Sequence, residues 1–217
     1  YAGGGSNLNI YYSKDKVNWT KCNWETTSFN SEVIRIKSGE KIYFKGDNDH
    51  FGRKYQPPIE GADIIDIVIR LSSFDSSCIT KIGGNIMTLI DSTGNSKIIP
   101  SDYCFAKIFS ELLNLTDISD LVIDINECKS YCFAKMFYGC TNINTFPSNM
   151  VIQGDATNGI CSNMFENCQN IPNNINLNFA NYILDNTPSA CFYRMFYIED
   201  NLYTYLNLRN VYFNIKT

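Results

Sequence analysis

One heptapeptide, returning at nearly even intervals through the second half of the chain, narrows the choice of fold more than any other feature. Tyr103-Cys104-Phe105-Ala106-Lys107-Ile108-Phe109 recurs as Tyr131-Cys132-Phe133-Ala134-Lys135-Met136-Phe137. It returns loosely as Ile160-Cys161-Ser162-Asn163-Met164-Phe165 and again as Ala190-Cys191-Phe192-Tyr193-Arg194-Met195-Phe196. The anchors Phe109, Phe137, Phe165 and Phe196 are 28, 28 and 31 residues apart. Six residues after each anchor stands an aliphatic residue, Leu115, Ile143, Ile171 or Leu202, and six beyond those come Leu121, Asn149, Leu177 and Leu208. Fixed apolar columns at such a period suit a stack, in which each unit covers its neighbour's apolar face and is not stable alone.

Within a unit, Cys132, Met136, Phe137 and Cys140 fall at i, i+4, i+5 and i+8, which predicts a short helix or turn with one buried face. The stretch Thr141-Asn142-Ile143-Asn144-Thr145-Phe146-Pro147 reads as a brief strand ended by proline. The first part of the chain differs. Asn9 to Tyr12 is a candidate strand, Val33 to Lys45 reads as a hairpin turning at Ser38-Gly39, and Ile65, Ile67, Ile69 and Leu71 line one side of a further strand. The expected class is α+β: a β-rich N-terminal module over residues 1–83, then a capped α/β solenoid of about four leucine-rich-repeat-type units over residues 84–217. The opening Tyr1, without a signal-peptide core, reads as a processed or excised chain, and Ala2-Gly3-Gly4-Gly5-Ser6, flexible by composition, as a natural linker or an expression scar.

Composition excludes several classes of function. A 44% hydrophobic, 14% aromatic chain with 18% charged residues can bury a core. A net charge of -4 leaves no basic surplus for counterion release, so nucleic acid is not an expected partner. The longest apolar run, Ile64 to Leu71, is interrupted by Asp66 and Arg70 and is too short for membrane insertion. The 27 asparagines and 14 tyrosines suit recognition by hydrogen bonding and stacking, although biased base composition in the gene is enough to produce such usage alone and is the favoured explanation.

The units from Tyr131 to Ile143 and from Cys161 to Ile171 resemble the Met-Phe-x-x-Cys-x-x-Leu repeats of BspA-like leucine-rich-repeat surface proteins. Gly84 to Leu89 resembles the cap that leads into those repeats, and Tyr11 to Trp19 with Ser38 to Gly46 resembles the small β module of the same family. The first unit departs at Ile108 and Leu112, and the fourth carries Glu199 in place of the second cysteine. The resemblance implies an extracellular or cell-surface adhesion module that binds a host or neighbouring-cell protein or glycan and performs no catalysis. A phage or virus attachment component would suit the same scaffold, and a glycan hydrolase is the enzymatic alternative.

The chemistry-bearing residues agree with a non-enzymatic role. His50 is the sole histidine, so a nucleophile and base pair would have to rely on it. Asp47 and Asp49 begin like a calcium loop, but Pro58 stands where the closing acidic ligand belongs. Gly83-Gly84 lacks the lysine or the glycine spacing of a phosphate-binding turn. The nine cysteines lack zinc-knuckle spacing, and column neighbours such as Cys104 with Cys132, or Cys140 with Cys168, read either as small buried thiols or as oxidisable pairs. No cofactor or metal is expected. The ligand-binding candidates are Asp117, Asn144, Thr145, Asn173, Tyr203 and Thr204, polar or amphipathic residues flanking the apolar columns on the face that the strands would present. The alternative at each is a side chain that is exposed and idle.

Overall fold

The structure is a computed structural model, and it describes residues 8–22, 34–49, 79–153, 159–172, 175–178, 191–198 and 212–213. These residues form mostly short strands in small sheets, with almost no helix. A three-stranded antiparallel sheet in the order β2-β1-β3 comes from β1 (Ile10–Ser13), β2 (Thr20–Lys21) and β3 (Tyr43–Gly46). Parallel pairs follow. β4 (Gly84–Asn85) lies beside β5 (Leu121–Val122), and β6 (Asp124–Ile125), β7 (Met150–Ile152), β8 (Asn176–Asn178) and β9 (Tyr212–Phe213) form a four-stranded sheet in sequence order.

The expected helices are absent from the described residues, whose one helical element is the 3₁₀ turn Ile86–Leu89. Where a helix is predicted, residues 102–111 and 130–139 instead form a ribbon of consecutive turns. Every fourth residue has positive φ: Tyr103, Lys107 and Glu111, then Tyr131, Lys135 and Gly139, then Gly159, Asn163 and Asn167. An α-helix cannot pass through such residues, because the left-handed region reverses the chain locally and carries a cost for any side chain with a Cβ. The four-residue period of the turns reproduces the i, i+4 spacing of a helical face, which explains why the sequence suggests one.

The ribbon divides its hydrogen bonds by parity. The N–H groups of Ala106, Ile108 and Ser110 donate to carbonyls three residues earlier, whereas those of Tyr103, Phe105, Lys107, Phe109 and Glu111 donate to Ser130, Cys132, Ala134, Met136 and Tyr138 of the next unit. The pattern repeats from Phe133, Lys135, Phe137 and Gly139 to Ile160, Ser162, Met164 and Glu166, and from Cys161, Asn163, Phe165 and Asn167 to Cys191, Tyr193, Met195 and Tyr197. Successive units are therefore bonded on the ribbon side as well as through the parallel strands, which removes most of the demand for water at the buried backbone.

Between strands and ribbon lies the core. The four anchor phenylalanines form one column, with ring centroids 5.5 Å apart for Phe109 and Phe137, 5.3 Å for Phe137 and Phe165 and 5.6 Å for Phe165 and Phe196. Phe105 and Phe133 stack beside it at 5.9 Å, and Cys161 takes the corresponding place in the third unit. Leu115, Ile143 and Ile171 are buried as their shared column requires; Leu202 lies outside the described residues. The second apolar column differs from the expected one. Asp124 pairs with Val151 and Met150 with Leu177, so Ile123, Met150 and Leu177 share a place while Asn149 is exposed. Asp117 still faces Thr145 at 28 residues, so the 27-residue step arises between Thr145 and Met150, a link one residue shorter than that between Asp117 and Ile123.

Two glycines set the entry to the repeat. A Cβ at Gly83 would lie 2.7 Å from the Cβ of Asp120, and Gly84 has φ +92°, so close approach and handedness each require glycine. In the N-terminal sheet the Ile34 to Lys37 arm of the expected hairpin is not a strand. β3 pairs with β1 across the 29 residues from Lys14 to Ile42, while the turn at Ser38-Gly39 is held by Glu40 N–H donating to the Lys37 carbonyl and Lys37 N–H donating to the Glu40 carboxylate. The strand predicted over Ile65 to Leu71, and His50, lie outside the described residues.

Candidate functional site

The candidate face is built from the short extended stretch that follows each unit's buried aliphatic residue. Leu115 and Ile143 point into the core, which leaves the next residues to alternate outward and to pair with the same stretch one unit away. Thr116 N–H donates to the Thr80 carbonyl, and Asn144 N–H donates to the Thr116 carbonyl, at 3.0 Å each. Beside that row, Lys81, Asp117 and Thr145 are joined as parallel bridge partners. Asp117, Asn144 and Thr145 are thus brought together on adjacent units, Asn144 and Thr145 exposed and Asp117 half-buried. Asn173, Tyr203 and Thr204 lie outside the described residues.

The two rows differ in their electrostatics. Lys81 Nζ lies 2.8 Å from a carboxylate oxygen of Asp117 and 2.8 Å from one of Asp120. The Lys81 ammonium and then the Ser119 side chain hold the Asp117 carboxyl down at about 2, and the same carboxylates push the Lys81 amine up. Asp117 also accepts from the Ser119 N–H at 2.8 Å, so it has one partner close in sequence and one across the parallel bridge, and its charge is compensated. Thr145 carries no such load. Its hydroxyl donates to the Asn144 side-chain oxygen at 2.9 Å, leaving a small neutral pair of donors and acceptors at the surface.

At the border of this face runs an asparagine row that sequence reasoning missed. Asn142 Nδ2 donates to the Leu113 carbonyl at 2.7 Å, and Asn170 Nδ2 donates to the Thr141 carbonyl at 2.9 Å and to Asn142 Oδ1 at 3.3 Å. Asn114, Asn142, Asn170 and Asn201 recur at the same intervals as the anchor phenylalanines, a signal present in the sequence but submerged in its high asparagine content. Lys81 was missed for another reason: it precedes the recognisable repeats and becomes part of the face only through its pairing with Asp117.

A cleft of about 440 Å³ lies where β3, the 3₁₀ turn and the first unit meet, with Trp19, Phe44, Ile82, Ile86 and Leu121 in its wall. Its charged groups already have partners: Lys16 sits over the Tyr43 ring and Lys45 over the Trp19 ring, both within the wall, and Lys81 lies between its two aspartates. Asn85 is likewise occupied, accepting from Met87 N–H and donating to the Gly94 carbonyl. The cleft therefore offers an apolar wall without convergent polar groups to orient a ligand. Asp47, considered above as a cation ligand, accepts the Ser92 N–H at 2.9 Å. Among the described residues no group of three His, Cys, Asp or Glu is arranged to hold a metal ion, and no helix is long and apolar enough to cross a membrane.

Comparisons of the chain with protein-family models, with curated proteins and with solved structures find no match. The functional reading consequently rests on the geometry and on the repeat motif itself.

Proposed function

We propose that the chain is a non-enzymatic recognition module of the BspA-like leucine-rich-repeat type, a short solenoid that binds a protein or glycan at a cell surface through the outward row of its strands. The observation that carries this reading is the register of Asp117 with Thr145 and of Thr116 with Asn144, which sets the exposed Asn144 amide and Thr145 hydroxyl beside the half-buried Thr116 and Asp117 of the preceding unit. A surface assembled by backbone pairing is preformed, so a ligand would find its hydrogen-bond partners already ordered and little conformational entropy would be lost on binding. Neutral donors and acceptors flanked by a compensated Lys81–Asp117 pair suit hydroxyl-rich or amide-bearing ligands better than strongly charged ones.

The test is an array of glycans and extracellular matrix proteins probed with the whole chain and with the N144A/T145A double variant. Binding that falls about tenfold or more in the variant, with an unchanged circular dichroism spectrum, supports the face. Binding indifferent to both substitutions moves the site elsewhere, and turnover of any glycan on the array overturns the non-enzymatic reading.

A further inference from the structure

Two cysteines of the repeat do more than fill space. Cys140 Sγ–H donates to the Phe109 carbonyl at 3.0 Å, and Cys168 Sγ–H donates to the Phe137 carbonyl at 3.1 Å. Each sulfur reaches back one unit to the carbonyl of the preceding anchor phenylalanine, and both cysteines are fully buried. The same contact at the same sequence offset in two consecutive units makes it a property of the repeat. Burial pushes the Cys168 thiol well above its ordinary range, with the neighbouring Cys140 adding to the effect, and burial acts in the same direction on Cys132 and Cys161.

We propose that Cys140 and Cys168 act as protonated thiols that hydrogen-bond successive units together, so that only reduced cysteine completes this fold. The inference is independent of what the outer face binds. Oxidation of the pair by a low-molecular-weight disulfide such as oxidised glutathione would join the two sulfurs, transfer two electrons to the oxidant and release two molecules of reduced glutathione, whose thiols take up the two cysteine protons. Neither sulfur would retain a hydrogen to donate, and the contacts to Phe109 and Phe137 would be lost in an interior closed to water. Paired strands of neighbouring units lie about 5 Å apart, a separation from which two cysteines can form a disulfide once the chain loosens. In the closed fold the reactive thiolate is suppressed by burial, so oxidation requires local opening. The order of events therefore matters: a chain folded under reducing conditions resists oxidant afterwards, and one exposed to oxidant first is diverted.

The experiment folds the whole chain in reduced glutathione, adds oxidised glutathione, and follows Cys140 and Cys168 by alkylation and peptide mass spectrometry. Both thiols should remain alkylatable after denaturation and should react at least about a hundredfold more slowly in the folded protein than in denaturant. A Cys140–Cys168 disulfide in protein with the native circular dichroism spectrum overturns the proposal, as does rapid labelling of the folded chain. A second arm compares Cys140→Ser and Cys168→Ser, which keep a donor, with Cys140→Val and Cys168→Val, which do not. The serine variants should melt about 3 °C above the valine ones; the reverse order would show that the thiols serve only as apolar filler. Should the valine variants fail to fold while the serine variants fold, the expected order holds, and should all four fail, the labelling of the unsubstituted chain decides.

Discussion

The repeat and the N-terminal sheet reach order by opposite means. In the repeat, one set of contacts recurs: phenylalanine on phenylalanine at 5.3 to 5.6 Å, N–H groups crossing to the next unit at every second residue, and, in the second and third units, a thiol reaching back to the preceding anchor. In the sheet of β1, β2 and β3 nothing recurs. Asp15 accepts from Ser13, Val17 and Asn18 to close one turn, Trp19 Nε1 donates to the Lys16 carbonyl, and Lys16 and Lys45 cover Tyr43 and Trp19. The contrast teaches that the repeat's stability is distributed over equivalent units, whereas the sheet depends on individual polar contacts that no other residue duplicates.

The sharpest way to break this contrast is Phe137→Ala. Phe137 is fully buried and is stacked on both sides, by Phe109 and Phe165, so truncation removes one ring's burial and opens a void that two further rings face. A loss of about 3–5 kcal/mol is expected, read as a fall in melting temperature of about 10 °C or more. Tyr12→Ala in the half-buried middle of β1 should cost less than half as much. Equal losses at the two positions would mean that the phenylalanine column is not the chief support of the repeat.

How much of this could be read from the residues follows the same division. The column Phe109, Phe137, Phe165 and Phe196 was legible because recurrence at a fixed interval is a one-dimensional signal of a three-dimensional neighbour. The turn ribbon was not, because apolar spacing at Cys132, Met136 and Cys140 suits a four-residue chain of turns as well as a helix, and only the handedness at Tyr131 and Lys135 separates them. The hairpin expected over Val33 to Lys45 failed for a different reason. Alternation identifies β3 as a strand but carries no information about its partner, and β1, distant in sequence, pairs with it instead of the adjacent arm. Of the candidate face, Asp117, Asn144 and Thr145 follow from the period, while Lys81 depends on a pairing across 36 residues that no motif announces.

A smaller effect is expected where the two regions meet. Asn48 is buried, accepts the Asn9 N–H at 2.9 Å, and donates to the Asn9 carbonyl and to the Leu89 carbonyl of the 3₁₀ turn. Its own N–H donates to the Ile90 carbonyl, so the substituted chain keeps one of these ties. Asn48→Ala leaves buried backbone groups without partners and should cost about 2 kcal/mol. Hydrogen exchange then sharpens the comparison: protection should fall at β1 and β3 and around residues 86–90, while Phe133 to Cys140 stays protected. Uniform loss of protection would show that the sheet and the repeat open as one cooperative unit.

The smallest effect belongs to the outer face, and it is set by pH. The Asp117 carboxyl, held at about 2 by Lys81 and Ser119, lies below its unfolded value of about 3.9. Its folded form therefore binds fewer protons than the unfolded chain between those two values. The resulting stabilisation is complete above about pH 4 and is lost as the pH falls through about 2. Lys81 is solvated and the pair is screened by salt, so the effect should amount to about 1–2 °C in melting temperature. The Asp15 carboxyl is also held low, chiefly by the Asn18 N–H, and those of Asp91 and Glu40 are lowered by hydrogen bonds from Thr93 and from Lys37. Total acid stability would mix all four groups. The measurement is accordingly a difference, the melting temperature of the unsubstituted chain minus that of Asp117→Asn, followed from pH 7 to pH 2. That difference should be constant down to about pH 4 and should have largely disappeared by pH 2, where Asp117 is half protonated, since protonated Asp117 and asparagine are alike in charge. A difference that persists unchanged to pH 2 would mean that the Asp117 carboxyl is not held down in the fold and that its charge, and with it the Lys81 pairing, contributes nothing to stability.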